Sequence, residues 1–222
     1  VVGVTALATD ADTGATISYS LSNNAGGKFA INSSTGVVTV ASALDFETAT
    51  SHSITVLATS SDGSTNTGTY TIAVTNINEA PVITSGTTAS FAENGTGTVY
   101  TATATDVDAS TTLSYSLSGT DAARFNINSS TGAVTFVTAP NFESPTDAGA
   151  NNVYDINVIA SDGTLTATKA VAITVTNVNE APVITSGATA SFAENATGTV
   201  YTATATDVDA STTLSYSLSG TD

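Results

Sequence analysis

The chain repeats itself, and the repeat bounds what it can become. Thr75–Asp121 returns as Thr176–Asp222 with differences only at positions 77, 87 and 95, a period of 101 residues. The first 80 residues hold a more diverged copy. In it "TDADTGATISYSLS" from Thr9 answers "TDVDASTTLSYSLS" from Thr105, and "FAINSSTGVVTV" from Phe29 answers "FNINSSTGAVTF" from Phe125. The 222 residues suffice for one large domain or two of about 100 residues each. The register sets the expected boundaries: 1–79 is a repeat lacking its first strand, 80–180 a complete repeat, and 181–222 the first third of another. Both ends thus fall inside a repeat, so the chain reads as a window onto a longer array whose leader peptide lies outside it.

Within one repeat the pattern is β. Leu113, Tyr115 and Leu117 alternate with Ser, the period of two that a half-buried strand shows. "FNINSSTGAVTF" predicts a hairpin, with Phe125, Ile127, Val134 and Phe136 inward around a Ser-Ser-Thr-Gly turn. Tyr154, Ile156, Val158 and Ala160 alternate up to an Asp-Gly turn, and Val171, Ile173 and Val175 follow. Thr- and Val-rich strands with turns every 8–12 residues or so predict tandem Greek-key antiparallel β-sandwiches of about seven strands per repeat. No helical period is present.

Composition excludes several functions. The chain holds 19 acidic residues against 3 basic ones, a formal charge of −16. Lys28, Arg124 and Lys169 are too few to hold nucleic acid phosphates. There is no Cys, hence no disulfide and no thiolate metal site, which suits a secreted bacterial surface protein. No apolar run approaches the roughly 20 residues of a membrane span. His52 aligns with Tyr154 at an inward strand position and reads as packing. No nucleophile–base constellation exists, and a glycosidase-like carboxylate pair would not recur at every repeat boundary, so no enzyme is expected.

The acids are placed, not scattered. Glu93 ends the first strand, Asp106 and Asp108 follow the second, Glu143 follows the Phe136 strand, Asp162 the Tyr154 strand, and Glu180 lies in the link. Copy one matches with Asp10, Asp12, Asp45, Glu47, Asp62 and Glu79; copy three with Glu194, Asp207 and Asp209. These are 15 of the 19 acids, all at repeat-boundary positions. Stacking repeats end to end gathers Asp45, Glu47, Glu79, Asp106, Asp108 and Asp162 at a first junction. A second gathers Glu93, Glu143, Glu180, Asp207 and Asp209. Asn76 and Asn78 add neutral oxygens to the first link, Asn177 and Asn179 to the second. Carboxylates this close repel or protonate unless a cation joins them. Ca²⁺, which takes 6–8 oxygens in flexible geometry, suits such a set better than Mg²⁺. Asp10, Asp12 and Asp62 form an outer half-site. Asp62 and Asp162, each in an Asp-Gly turn, suit a turn regardless of any ion.

These motifs resemble the cadherin repeat in its bacterial form: FAEN at Glu93, Asp-x-Asp after the second strand, and "FAINSSTGVV" ahead of "LDFE" at Leu44–Glu47. Asp in "SDG" and the links "NINEAP" and "NVNEAP" complete the set, with Asn76 and Asn177 where the family carries Asp. The resemblance implies Ca²⁺ between repeats, rigidifying a filamentous adhesin that is extracellular or on a bacterial cell surface. Its partners would be calcium ions, neighbouring repeats, and homophilic head-to-tail or cell-surface or polysaccharide contacts, with no nucleic acid. Copy two reads "PNFE", so Asn141 replaces Asp45 and the second junction is expected to bind fewer or weaker ions. The alternatives are a carbohydrate- or cell-surface-binding module and a metal-free Ig-like spacer.

Overall fold

Alternating apolar and hydroxyl residues become paired strands throughout the computed structural model, which describes residues 3–108 and 111–220. The chain divides into two units, Val1–Glu79 and Ala80–Asp222. The first contains β1 (Ile17–Asn23), β2 (Phe29–Ile31), β3 (Val38–Val40), β4 (Ser51–Ser60) and β5 (Thr65–Ala73). An antiparallel sheet β1-β4-β5 and the β2–β3 hairpin enclose Phe29, Val38, Ile54 and Ile72. His52 packs edge-on against Phe29, ring centroids 5.8 Å apart, as a packing residue should.

The second unit contains β6 (Val82–Ile83), β7 (Thr88–Ala92), β8 (Thr98–Thr101), β9 (Ala104–Thr105), β10 (Ser114–Ser118), β11 (Phe125–Ile127), β12 (Ala133–Phe136), β13 (Val153–Ser161) and β14 (Thr166–Thr176). One sheet runs β10-β13-β14-β7 and the other β11-β12-β8, while β6 pairs with β9. The fold is a β-sandwich. Its core sets Val99, Phe125 and Val134 against Tyr154, Ile156, Val158, Val171, Ile173 and Val175. Each such side chain contributes about 1.5–3 kcal/mol on burial. Phe125 and Phe136 lie 4.4 Å apart, and Tyr154 meets both edge-on, at 5.7 and 5.1 Å, geometry that adds to area burial alone.

Two features differ from the sequence expectation. The pairing is not antiparallel throughout: β7 runs parallel to β14, from Ala172↔Thr88 to Thr176↔Ala92. The cause is a crossover between β6 and β7. The Lys169 ammonium donates to the carbonyls of Ile83 and Ser85 (3.2 and 2.6 Å), and the Tyr100 hydroxyl donates to the Gly86 carbonyl (2.6 Å). Those bonds hold the chain where it leaves one sheet for the edge of the other. In the third copy, strand is confined to β15 (Val183–Ile184) and β16 (Ala205–Thr206) among the described residues. Segments 189–193, 199–202 and 215–219 match β7, β8 and β10 in sequence. In unit 2 those strands pair with β14, β12 and β13, which come later in the repeat.

Two local devices recur and position the acids. Tyr115, Tyr19 and Tyr216 each accept, through the hydroxyl, the backbone N–H of Ala104, Ala8 and Ala205 (3.1, 3.1 and 3.2 Å), just ahead of Asp-x-Asp. In the hairpin turn, Asn128 Oδ1 accepts the N–H groups of Ser130 and Thr131, and Gly132 follows at φ 69°. A Cβ on Gly132 would stand 2.2 Å from the Ala102 carbonyl oxygen. Gly36 repeats this at φ 68° against Ala6. The left-handed conformation alone costs an L-residue roughly 1–2 kcal/mol, and the clash adds to it. Gly132→Ala is expected to lower unfolding stability by at least that much in a urea titration of the chain. Gly163→Ala, at an open turn with nothing near the added methyl, should lose only the conformational share.

Candidate metal centre

Glu93 leaves the end of β7 and turns inward, 2% exposed. Its Oε2 accepts the N–H of Phe142 at 2.7 Å and its Oε1 the N–H of Val178 at 2.9 Å. One carboxylate therefore ties together the end of β7, the loop after β12 and the segment after β14. That convergence delivers two further glutamates. Carboxylate oxygens of Glu93, Glu143 and Glu180 all lie within 4.8 Å of one another.

The second and third carboxylates are only half satisfied. Asn177 Nδ2 donates to Glu143 Oε1 at 3.3 Å, and Asn94 Nδ2 to Glu180 Oε1 at 2.6 Å. Asn94 holds its amide there from a left-handed backbone, φ 58°. Glu143 Oε2 and Glu180 Oε2 are closed off from solvent and have no hydrogen-bond partner. Burial raises the pKa of Glu143, and the charges of Glu93 and Glu180 push it further the same way. A buried polar atom without a partner costs about 1–3 kcal/mol, more when charged. A hard cation with a high oxygen coordination number removes that cost and the mutual repulsion together. Three converging carboxylates with two open oxygens fit Ca²⁺.

The rest of the second predicted set is connected through the link. The Glu180 N–H donates to Asp209 Oδ2 at 2.7 Å, and Asn179 Nδ2 donates to the Glu180 carbonyl at 2.9 Å. Asp207 Oδ1 accepts the Asp209 N–H at 2.9 Å, closing an Asx turn. Asp106 with Asp108 and Asp10 with Asp12 form the same turn, each at 2.9 Å. Asp106 Oδ2 is a further buried oxygen without a partner.

In the first unit, oxygens of Asp10, Asp12 and Asp62 come within 4.8 Å of one another. The Asp62 pKa is lowered by the N–H of Ser64, which its Oδ1 accepts at 2.8 Å. Asp162 Oδ1 accepts the N–H groups of Thr164 and Leu165, both at 2.6 Å, so both Asp-Gly carboxylates serve their turns. Glu47, Asn76, Asn78 and Glu79 also belong to this unit, where Asn78 Nδ2 donates to the Glu79 carbonyl at 3.1 Å.

Asp45 is already engaged locally. Its oxygens accept the N–H and the hydroxyl of Thr48 at 3.0 and 2.9 Å, which lowers its pKa. Asn141 Oδ1 accepts the Ser144 N–H at 2.7 Å in the same way. The turn needs an acceptor, and Asp or Asn supplies one.

Sequence reasoning missed two buried carboxylates. Asp121 accepts the N–H groups of Ala148 and Asp155, both at 2.8 Å, and Asp147 those of Asn151 and Asn152, at 3.0 and 3.1 Å. Asn152 Nδ2 then donates to the Phe142 carbonyl at 2.8 Å, on the other side of the residue whose N–H Glu93 holds. The available signal was length: copy two carries 17 residues between Phe136 and Tyr154, where copy one carries 11 between Val40 and His52.

Residues 1–75 match the Cadherin domain family. Mouse Protocadherin Fat 4 is 39% identical over 129 residues, covering 54% of this chain and 3% of its own length. The Drosophila melanogaster Protocadherin-like wing polarity protein stan is 33% identical over 194 residues, covering 79% of this chain and 5% of its own. The chain thus spans only a few per cent of these relatives. EC22-24 of mouse cadherin-23 aligns at a TM-score of 0.55 and 30% identity, over 73% of this chain and 53% of that one. Human protocadherin-24 EC1-2 shares the fold at a TM-score of 0.61 and 21% identity, over 79% of this chain and 87% of that one. The chain is no enzyme: what it matches are cadherins and protocadherins.

The Glu143 shift has a direct consequence. A carboxyl with a raised folded pKa contributes stability that is complete below the ordinary glutamate range. That contribution is lost as pH rises through the folded value. In chelator at pH 7, Glu143→Gln is expected to melt above the parent chain, and the gap should close near pH 4. A variant that melts lower at pH 7 would show that Glu143 is not under repulsion.

Proposed function

We propose that this chain is a stretch of calcium-binding cadherin repeats, in which Ca²⁺ at the repeat boundaries stiffens an extracellular adhesive filament. The observation that carries this reading is the pair of solvent-shielded, unpartnered oxygens on Glu143 and Glu180 beside Glu93. Glu93, Glu143 and Glu180 would hold the ion, with Asn177 and Asp209 adjoining. When bound, the ion supplies positive charge that offsets the crowding of carboxylates. The side chains do the mechanical part: Glu93 fixes the loop and the link, and Asp209 fixes the backbone of Glu180. The sequence counterparts around the first boundary extend the proposal there: Asp45, Glu47, Asn76, Asn78, Glu79, Asp106, Asp108 and Asp162. Asp10, Asp12 and Asp62 would serve as half of a further site.

Order and ion binding are then linked: an ion that binds the folded boundary and not the splayed one stabilises by mass action. Extracellular modules bind Ca²⁺ at about 10⁻⁴–10⁻³ M, so the reading also needs an extracellular setting. No helix is long and apolar enough to cross a membrane among the described residues. A secreted or surface array, with neighbouring repeats as its first partners, agrees with that setting. A bacterial source rests on composition alone, since the similar proteins named above are from mouse, human and fly.

At ten times its dissociation constant, one ion adds about 1.4 kcal/mol. For a domain of about 100 residues, each kcal/mol raises Tm by roughly 4–8 °C. CaCl₂ at a few millimolar is therefore expected to raise Tm by about 5–10 °C per site over EDTA, with a much smaller rise in MgCl₂. Glu180→Gln should remove the share belonging to the second boundary. Identical melts in all three conditions would leave the carboxylates as a solvated rim and favour the metal-free spacer.

A further inference from the structure

Two of the three basic residues occupy one position in the repeat. Lys28 and Arg124 each directly precede the Phe that opens the hairpin, in "GGKFAI" and "AARFNI". Their fates differ. The Lys28 ammonium folds back and donates to the Ala43 carbonyl at 2.8 Å. The Arg124 guanidinium makes no hydrogen bond or ion pair among the described residues. It borders instead a cleft of about 250 Å³ in the second unit, walled by Phe136, Val137, Pro140, Thr138 and Ser144. The hydroxyls of Thr138 and Ser144 also spend no hydrogen bond among the described residues. A chain with a formal charge of −16 thus keeps an uncommitted guanidinium beside an apolar wall and two free hydroxyls.

We propose that this cleft binds a carboxylate-bearing saccharide, of the uronate class, through Arg124. The guanidinium presents paired N–H donors that match a carboxylate bidentately. Thr138 and Ser144 offer exchange partners for sugar hydroxyls, and Val137, exposed beside them, offers apolar contact to the C–H face of a pyranose. The volume suits one sugar ring, not a folded partner. Copy one lacks the function because Lys28 is turned onto its own backbone, and Lys cannot reproduce the planar fork. A lone fork matches a single carboxylate, and the acidic surroundings repel a polyphosphate more strongly because it carries more charge. The proposal is independent of calcium: no lining residue belongs to the glutamate cluster.

The test is NMR titration of the intact chain with D-galacturonate and di- and trigalacturonate. D-galactose and an acetylated dipeptide with a free C-terminus are the comparisons, each run in EDTA and in CaCl₂. The expected result is saturable shifts confined to the Arg124 and Pro140 region in both media, absent with galactose and weak with the dipeptide. Losing a charge-assisted hydrogen bond costs about 1.5–3 kcal/mol. Arg124→Gln should therefore weaken uronate binding by about tenfold to a hundredfold, with Tm unchanged because the side chain is exposed. Lys28→Gln should leave it unaltered. Equal binding of galactose, or an unaltered affinity in Arg124→Gln, overturns the assignment. Tighter binding of the dipeptide overturns the saccharide class, and binding seen only in CaCl₂ overturns the independence from the metal centre.

Discussion

The junction of β7, the loop after β12 and the segment after β14 depends on how the Glu93 carboxylate is spent. It sits almost without solvent and gives one oxygen to Phe142 N–H and the other to Val178 N–H. Those N–H groups belong to segments far apart in sequence, and neither lies in a regular strand that would satisfy it. Buried backbone donors need partners. Glu93 therefore serves first as a structural acceptor, and its placement makes a carboxylate cluster possible at all. An ion at this point would add to an arrangement that is already tied, which reduces the ordering that binding must accomplish.

Much of this was legible in the sequence, for physical reasons. Period-two alternation identified β11 to β14, because a half-buried strand must show apolar residues to one side only. The repeat itself located the acids at strand ends. Stacking logic grouped Glu93 with Glu143 and Glu180, whose oxygens come within 4.8 Å. The parallel run of β7 beside β14 was not legible, since alternation is blind to strand direction. It depends on Lys169 and Tyr100 catching the carbonyls of Ile83, Ser85 and Gly86, contacts between residues up to 86 positions apart.

The roles of individual acids were less legible than their positions. Asp45 and Asn141 looked like a ligand and its weaker substitute, yet both act as acceptors for the N–H three residues on. Asp121 and Asp147 carry no motif, because a carboxylate that accepts only backbone N–H groups leaves no trace in spacing. Sequence patterns register side chains that meet water or a core. They are nearly silent on side chains that meet the backbone.

That difference bears on why two nearly equivalent boundaries need not behave alike. The carboxylates recur from copy to copy, but not all of their supports do. In copy two, Glu143 stands next to a residue clamped on both sides, by Glu93 on the Phe142 N–H and by Asn152 on the Phe142 carbonyl. Asn152 is itself held by Asp147, inside a stretch six residues longer than its counterpart in copy one. Glu47 is likewise preceded by a Phe, Phe46, and lacks that insertion. Ligand identity sets which ion can bind, while the rigidity of the loop sets how much binding energy is left after ordering it. The exchange of Asp45 for Asn141 suggested a weaker second boundary. The anchored insertion acts in the opposite direction, so the loops that carry Glu47 and Glu143 differ in anchoring as well as in the exchange of Asp45 for Asn141.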